Sequence, residues 1–360
     1  MSAAYSVAWS DKPTELTNDF LALPSLLYTK KDVHQNYAEE EQILAGTHPL
    51  SHYFSTEAVV IYDGAQPVGR ALIVQYHDDN EQCFLGYFEC IDDDGAAELL
   101  FNTIIDRVAV SKKVKKIIGP YNASFWLTYR LKIDMFNQKP YMTEPLSKSY
   151  YYNQFIENGF AQTHTYVSNE YGLTYNKKDA AQFSAAAHRA KSLHYDIKSP
   201  KPTEFIETLG QAYELFSALY TDFPGYKAIS KSEFLASFKD LKHVLNYSFV
   251  KFAYSAGELA GFAVAFPDYG NLLSRPMTLG NKARIMLRRL RASRYVIIYL
   301  GVLPQHSGLA KALVRPLVIS ALLRGACIIG ALALEDKVTA SYAKSMIKKQ
   351  YHYALFERSV

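Results

Sequence analysis

The hexapeptide Gln305-His306-Ser307-Gly308-Leu309-Ala310 lies between an apolar stretch ending at Leu300 and an apolar helical stretch that opens near Gly308. A strand, a short loop of small residues and a helix start together aim several unbonded backbone N–H groups at one point, where the helix dipole also favours negative charge. The chemistry this spacing suits is phosphate binding. Gly308 would admit an anion to the main chain with no Cβ in the way, Ala310 keeps the helix start thin, and Gln305 can add an amide donor. An ordinary strand-to-helix turn can carry the same letters, so the flanking elements have to decide between the two.

Charge is gathered around this stretch. No Asp or Glu occurs from Tyr269 to Leu334, whereas Arg275, Lys282, Arg284, Arg288, Arg289, Arg291, Arg294, Lys311, Arg315 and Arg324 all do. Lys311 and Arg315, on the helix leaving the loop, are candidates for reaching phosphates. The segment from Lys282 to Arg294 alternates arginines with Ile285, Met286, Leu287 and Leu290, as a basic amphipathic helix does. Such a helix could meet an anionic partner, whether tRNA, a lipid surface or a phosphorylated carrier protein, or it could be a solvated basic face covering its own core. Elsewhere, Asn122 and Ser124 follow the strand-ending Gly119-Pro120 and can bond a ligand or cap a helix. Tyr150, Tyr151 and Tyr152 can floor a pocket or pack a domain.

The elements that must position these residues come in the same order twice. In the first half a hairpin runs from Ala58 to Tyr62, turns at Asp63-Gly64 and returns from Val68 to Tyr76; a strand from Cys83 to Cys90, a helix from Leu99 to Val110 and a strand from Val114 to Ile118 follow. In the second half, helices at Pro202 to Tyr220 and Lys231 to Leu241 precede strands at Tyr247 to Tyr254 and Leu259 to Phe266. A strand from Tyr295 to Leu300, a helix from Ala310 to Leu323, a strand from Ile328 to Leu334, a helix from Val338 and a last strand from Tyr351 to Glu357 complete it. A repeat this long means two copies of one domain. The 360 residues, 49% hydrophobic, are about what two cores need.

Several classes are excluded. Cys83, Cys90 and Cys327 are odd in number and lack metal-ligand spacing, which argues against a disulfide framework or a zinc site and for a reducing, cytoplasmic setting. Met1 to Tyr5 show no secretory leader pattern, and the apolar region from Pro316 to Leu334 is cut by Arg324, so no transmembrane segment is expected.

Gln-x-x-Gly-x-Ala after a strand, carried here within Val302 to Leu313, resembles the acetyl-CoA motif of the GNAT acyltransferase superfamily, and the hairpin upstream with the strand and helix downstream matches that superfamily's order. A second resemblance covers the first half. Gly119-Pro120-Tyr121-Asn122-Ala123-Ser124, Asp134, Phe136, Pro140, the Tyr150 cluster and Gly159-Phe160 are similar to bacterial tandem-GNAT proteins, with Arg130 and Met135 standing where those often have glycine. The implied fold is α/β (α+β, mixed sheet): two GNAT-like domains in tandem. Residues 1–175 would be a degenerate copy helping to build the acceptor site, 176–199 a connection, and 200–360 the domain with the acyl-CoA site.

The resemblance implies an N-acyltransferase that moves an acyl group, acetyl first among them, from acyl-CoA to an amine of a small molecule or peptide, with acyl-CoA as co-substrate and no metal. Leu300, Gly301, Val302, Gln305, His306, Ser307, Gly308, Leu309, Ala310 and Lys311 would hold the CoA. Tyr342, seven residues after Glu335, would protonate the departing thiolate; Glu335 stands where the superfamily often has Asn. Asn122, Ser124, Asp134, Tyr150 and Tyr152 would line the acceptor side. A general base is needed, and Glu335, Asp268, Asp134 and His306 are the candidates, although His306 is expected to turn toward solvent. The first half has Ile91-Asp92-Asp93-Asp94-Gly95 where a cradle would be, and three carboxylates repel a pyrophosphate, so one CoA site is expected. Two other readings are a Fem-type transferase using aminoacyl-tRNA and a CoA-binding sensor without turnover.

Overall fold

A computed structural model describes residues 5–29, 32–33, 35–172, 177–221 and 223–360. Residues 1–4, on which the leader reading partly rests, and Asn176, the expected start of the connection, lie outside the described residues. The chain divides into two compact units, Met1–Thr165 with His352–Val360, and Tyr166–Tyr351. Among the described residues no helix is long and apolar enough to cross a membrane.

In chain order the elements are β1 (Ser6–Ser10), α1 (Thr17–Leu27), α2 (Tyr37–Leu44), β2 (Phe54–Asp63), β3 (Gln66–Tyr76), β4 (Gln82–Cys90), α3 (Asp94–Ala109), β5 (Lys116–Gly119), β6 (Leu131–Lys132), α4 (Tyr151–Glu157) and β7 (Ala161–Tyr171). Then come α5 (Lys177–Ser192), β8 (Asp196–Lys198), α6 (Phe205–Tyr220), α7 (Lys231–Phe238), β9 (Val250–Ser255), β10 (Glu258–Pro267) and α8 (Leu279–Leu290). The chain finishes with β11 (Arg294–Val302), α9 (Ala310–Leu323), β12 (Cys327–Leu334) and β13 (Ile347–Ser359). β7 carries the chain out of the first unit, and β13 carries it back.

In the first unit β1 to β4 pair antiparallel in order, β4 and β5 pair parallel across the α3 crossover, and Phe356–Ser359 of β13 pair antiparallel with Lys116–Gly119. Apolar residues of β2 to β4 meet Leu100, Phe101 and Ile104 of α3, while Phe155, Phe160 and Phe356 complete an aromatic cluster around Phe88. Each such ring contributes about 2–3 kcal/mol by leaving water. Arg70 is buried with Glu40 at 2.8 Å and donates to Phe20 O, so its charge is paired rather than stranded.

The second unit repeats the plan. β8 to β11 pair antiparallel in order, β11 and β12 pair parallel across α9, and β12 pairs antiparallel with residues 166–171 of β7. Ala256 and Gly257 both take positive φ in the two-residue β9–β10 turn, the conformation that matches strand twist. Small residues of β9 and β10, Ala253, Ala263 and Ala265, let α9 lie close with Leu313 and Leu317. On the other sheet face, Phe262 meets Phe216 of α6 and Phe252 packs on Phe262.

Two elements differ from the sequence expectation. Residues 177–192 form a helix, α5, whose Phe183, Ala186 and Ala190 pack in the core beside α9, although this alanine-rich stretch reads as a connection. The helix expected from Val338 is a single 3-10 turn, Val338–Ser341. Asn169 Nδ2 donates to Ala340 O at 2.8 Å, taking the carbonyl that a continuing α-helix would offer Lys344, and Ala343 then takes φ +48.

Candidate functional site

The loop from β11 to α9 begins with Leu303 N–H donating to Ala260 O at 3.0 Å, which holds the strand end against β10. Pro304–His306 make one 3-10 turn, Gly308 takes φ +93, and α9 starts at Ala310 with no side-chain cap. Leu309 N–H donates to His306 O and Leu313 N–H donates to Leu309 O. The N–H groups of Gly308, Ala310, Lys311 and Ala312 have no such main-chain acceptor among the described residues. Four donors thus stand at the positive end of a fourteen-residue helix, the arrangement that takes an anion. An ideal Cβ on Gly308 would meet nothing within 4 Å, so the space at this position of the loop is open.

Gln305 and Ser307 are exposed beside this opening, and Leu309 and Ala310 are buried beneath it. His306 does not turn to solvent as expected: Tyr195 Oη lies 2.8 Å from its Nδ1, and the two rings meet edge-on at 5.6 Å. Lys311 Nζ donates to Gln182 Oε1 at 2.6 Å and stands 5.7 Å from the centre of the Tyr342 ring. That cation–π contact places the Tyr342 ring beside the ammonium of Lys311, a residue of the first turn of α9. The Tyr342 phenol is half-buried, and burial raises its pKa above the ordinary value, so its proton stays on at neutral pH. Glu335 is exposed in the turn after β12.

A wedge opens next to this loop. β11 and β12 pair only from Arg294↔Cys327 to Ile297↔Gly330, although both strands run on. Leu332 N–H donates to Ser168 Oγ at 2.8 Å and Leu332 takes φ +56, which bends β12 toward β7. On its other side β11 has a bulge at Ile298, between the pairs Val264↔Tyr299 and Ala265↔Ile297. With Gly301 opposite Phe262 and Leu303 bonded to Ala260, strand alternation directs the N–H groups of Leu300 and Val302 away from β10, into the wedge. Gly301 is glycine for packing: a Cβ there would come within 2.7 Å of Leu219 Cδ1.

Beneath α6 and α7 lies an apolar cavity of about 60 Å³, lined among others by Phe205, Phe216, Phe234, Phe252, Phe262 and Tyr299. At about 10–15 Å³ per water-sized group, it has room for roughly four to six such groups. Tyr299, which lines this cavity, directly follows the bulged Ile298 on β11.

No family model matches the sequence, and no curated protein matches it. Among solved structures, the chain is similar to the tandem GNAT protein from the clavulanic acid biosynthesis pathway, with a TM-score of 0.53 at 9% identity over 98% of each chain. The chain has a tandem GNAT fold. It is also similar to a conserved protein of unknown function from Enterococcus faecalis V583, with a TM-score of 0.50 at 11% identity, over 99% of this chain and 73% of that one. At these identities the likeness extends to the fold.

The other half of the tandem GNAT fold has the same wedge, filled. β4 and β5 pair only from Gln82↔Lys116 to Phe84↔Ile118. Beyond that point Tyr121 N–H donates to Leu85 O at 2.7 Å, and Asn122 Oδ1 accepts from Tyr87 N–H at 2.7 Å. A Cβ on Gly86 would stand 2.4 Å from Tyr121 O, which shows how tightly this plug fits. At the start of α3, Asp93 accepts from Ala96 N–H at 3.0 Å, placing a carboxylate where α9 leaves its donors free.

The acceptor candidates of this unit are likewise engaged by the fold. Ser124 is buried and accepts from Trp126 N–H, the local turn role. Asp134 accepts from His352 N–H at 2.8 Å and pairs with His352 Nδ1 at 2.6 Å. Tyr150 donates to Cys90 O at 2.9 Å, and the Tyr152 ring packs on Phe356. In the second unit, Asp268 is taken up by Arg294 Nε at 2.8 Å and by Gly270 N–H at 2.9 Å. Sequence reasoning missed Ser168 and Asn169, which shape the wedge, because the polar run of β7 gives no strand signal. Tyr299 lies in a recognised strand, but its lining role depends on the neighbouring helices.

Proposed function

We propose that this protein is an acyl-CoA-dependent N-acyltransferase whose CoA site lies in the unit Tyr166–Tyr351. The observation that supports it is the group of free N–H donors at the start of α9, with the Tyr342 ring beside the side chain of Lys311 from the same helix turn and its phenol protonated. The open space at Gly308 suits a pyrophosphate, and the donors offered there are of the kind it needs.

When bound, acyl-CoA supplies an activated acyl carbon and a thiolate leaving group. In this reading the N–H groups of Gly308, Ala310, Lys311 and Ala312 bind the pyrophosphate, with Gln305 and Ser307 at its edge. Leu300 and Val302 turn their N–H groups toward the thioester side of the wedge and orient its carbonyl. As the amine nitrogen bonds to the acyl carbon and the carbon–sulfur bond breaks, Tyr342 Oη gives its proton to the sulfur. Of the four candidates for taking the amine proton, Asp268, Asp134 and His306 are held by Arg294, His352 and Tyr195, which leaves Glu335 for that task. The apolar cavity fits an acyl chain or an apolar part of the acceptor better than a charged group.

Calorimetric titration with acetyl-CoA, followed by thiol release against a panel of small and peptide amines, tests the reading. Saturable binding and amine-dependent thiol release are expected. No binding at low millimolar acetyl-CoA refutes it, and binding with no thiol release from any acyl-CoA and amine pair replaces the transferase by a CoA sensor.

A further inference from the structure

Helix α8 inverts the arrangement expected of a surface helix. It buries none of its residues, and Leu279, Leu287, Leu290 and Met286 are 86%, 66%, 65% and 54% exposed. With Ala283 these four fall at i, i+4, i+7, i+8 and i+11, one continuous stripe. Met277, 52% exposed just before the helix, extends the apolar surface. The opposite side is the one that docks, and it docks through polar bonds. Arg289 Nε donates to Leu245 O at 2.8 Å, Asn246 Nδ2 donates to Arg289 O at 2.9 Å, and Arg288 reaches Asp268 O at 3.5 Å. Arg288 and Arg289 thus make the contact beside the half-buried Ile285, and the apolar stripe faces water.

Lys282, Arg284 and Arg291 are exposed and border the stripe, within the acid-free run from Tyr269 to Leu334. We propose that α8 is a lipid-docking helix that lies on an anionic bilayer surface, its leucines and methionines entering the acyl boundary and Lys282, Arg284 and Arg291 meeting the lipid phosphates. Charge complementarity selects an anionic partner, and the stripe selects lipid among anionic partners. A nucleic acid offers no apolar phase for exposed leucines, and α8 carries no aromatic ring on which a base could stack. The docking requires nothing of the proposed transferase reaction.

The test is co-sedimentation of the full chain with phosphatidylcholine vesicles, with and without phosphatidylglycerol. Binding should depend on phosphatidylglycerol. K282Q/R284Q/R291Q should lower the partition coefficient about fivefold per cation, about a hundredfold together. M286S/L287S/L290S should lower it at least about tenfold while the circular dichroism spectrum stays that of the parent, because these side chains are exposed. Equal binding to both vesicle types overturns the proposal, as does a stripe variant that binds like the parent. Binding of tRNA that is lost in the charge variant and kept in the stripe variant, with no vesicle binding, replaces lipid by nucleic acid.

Discussion

Replacing Gly308 by Ala separates the two things this glycine does. Its φ of +93 is a conformation that L side chains rarely adopt, and an ideal Cβ would stand in open space at the loop that leads into α9. The backbone strain costs about 1–2 kcal/mol, a drop of about 2–8 °C in the melting midpoint of the unit. Loss of one hydrogen bond to a charged phosphate costs about 1.5–3 kcal/mol, or about ten- to a hundredfold in the Kd for CoA. Titration calorimetry with CoA and with pantetheine, which has no pyrophosphate, reads the second effect alone: G308A should weaken CoA and leave pantetheine as it was. Gly325 supplies the control. It sits just past the other end of α9, has φ +65, and likewise has nothing within 4 Å of an ideal Cβ. G325A should therefore destabilise comparably and bind CoA normally. A phosphate site at Gly308 is refuted if G308A keeps the parent's Kd for CoA, or if G325A weakens CoA as much.

Y342F should lower kcat for thiol release at least about a hundredfold with the Kd for CoA unchanged. Because burial raises the phenol pKa above its ordinary 10.0, the protonated form persists and the loss of rate due to Tyr342 falls above that pH; an alkaline limb near neutrality that vanishes in Y342F would contradict the assignment. In the first unit, burial pushes the Glu89 carboxyl up from 4.5 to about 7, where it accepts from Tyr151 Oη at 2.5 Å. A raised carboxyl pKa means that the folded state binds the proton more tightly, so this contribution is complete below 4.5 and is lost as pH rises toward 7 and through it. E89Q should flatten that part of the urea-midpoint profile, and an unchanged slope would show that Glu89 is not its source.

Much of the second unit was legible because its signals are local. The α9 boundaries, Ala310 to Leu323, follow from a small-residue loop and an apolar run, and both hairpins follow from turn residues at fixed offsets. What was not legible depends on distant partners. The strand β7 buries Ser168, Asn169 and Glu170, so its pattern is polar where a core strand is normally apolar, and its bonds to Leu332 and Ala340 come from far along the chain. In α5 the apolar stripe is made of alanines and Phe183, too weak a signal to separate a packed helix from a connection. The periodicity of α8 was plain, but periodicity does not say which face meets the protein, and here the polar side does. The free donors at α9 were foreseeable from the loop, whereas the filled wedge of the first unit rests on Asn122 and Tyr87, contacts that only the folded chain makes.

The return of β13 to the first unit also orders events during synthesis. Residues 352–360 follow the whole second unit in the chain, yet they cover the edge of β5, from Phe356↔Gly119 to Ser359↔Lys116, and supply Phe356 to the aromatic cluster. The part of the first unit that ends at Thr165 therefore leaves the ribosome as a sheet with an open edge and a gap in its core. That edge stays unpaired through translation of every residue up to His352, so the unit begun first is the one completed last. While it waits, it is open to pairing with the same strand of a neighbouring nascent chain.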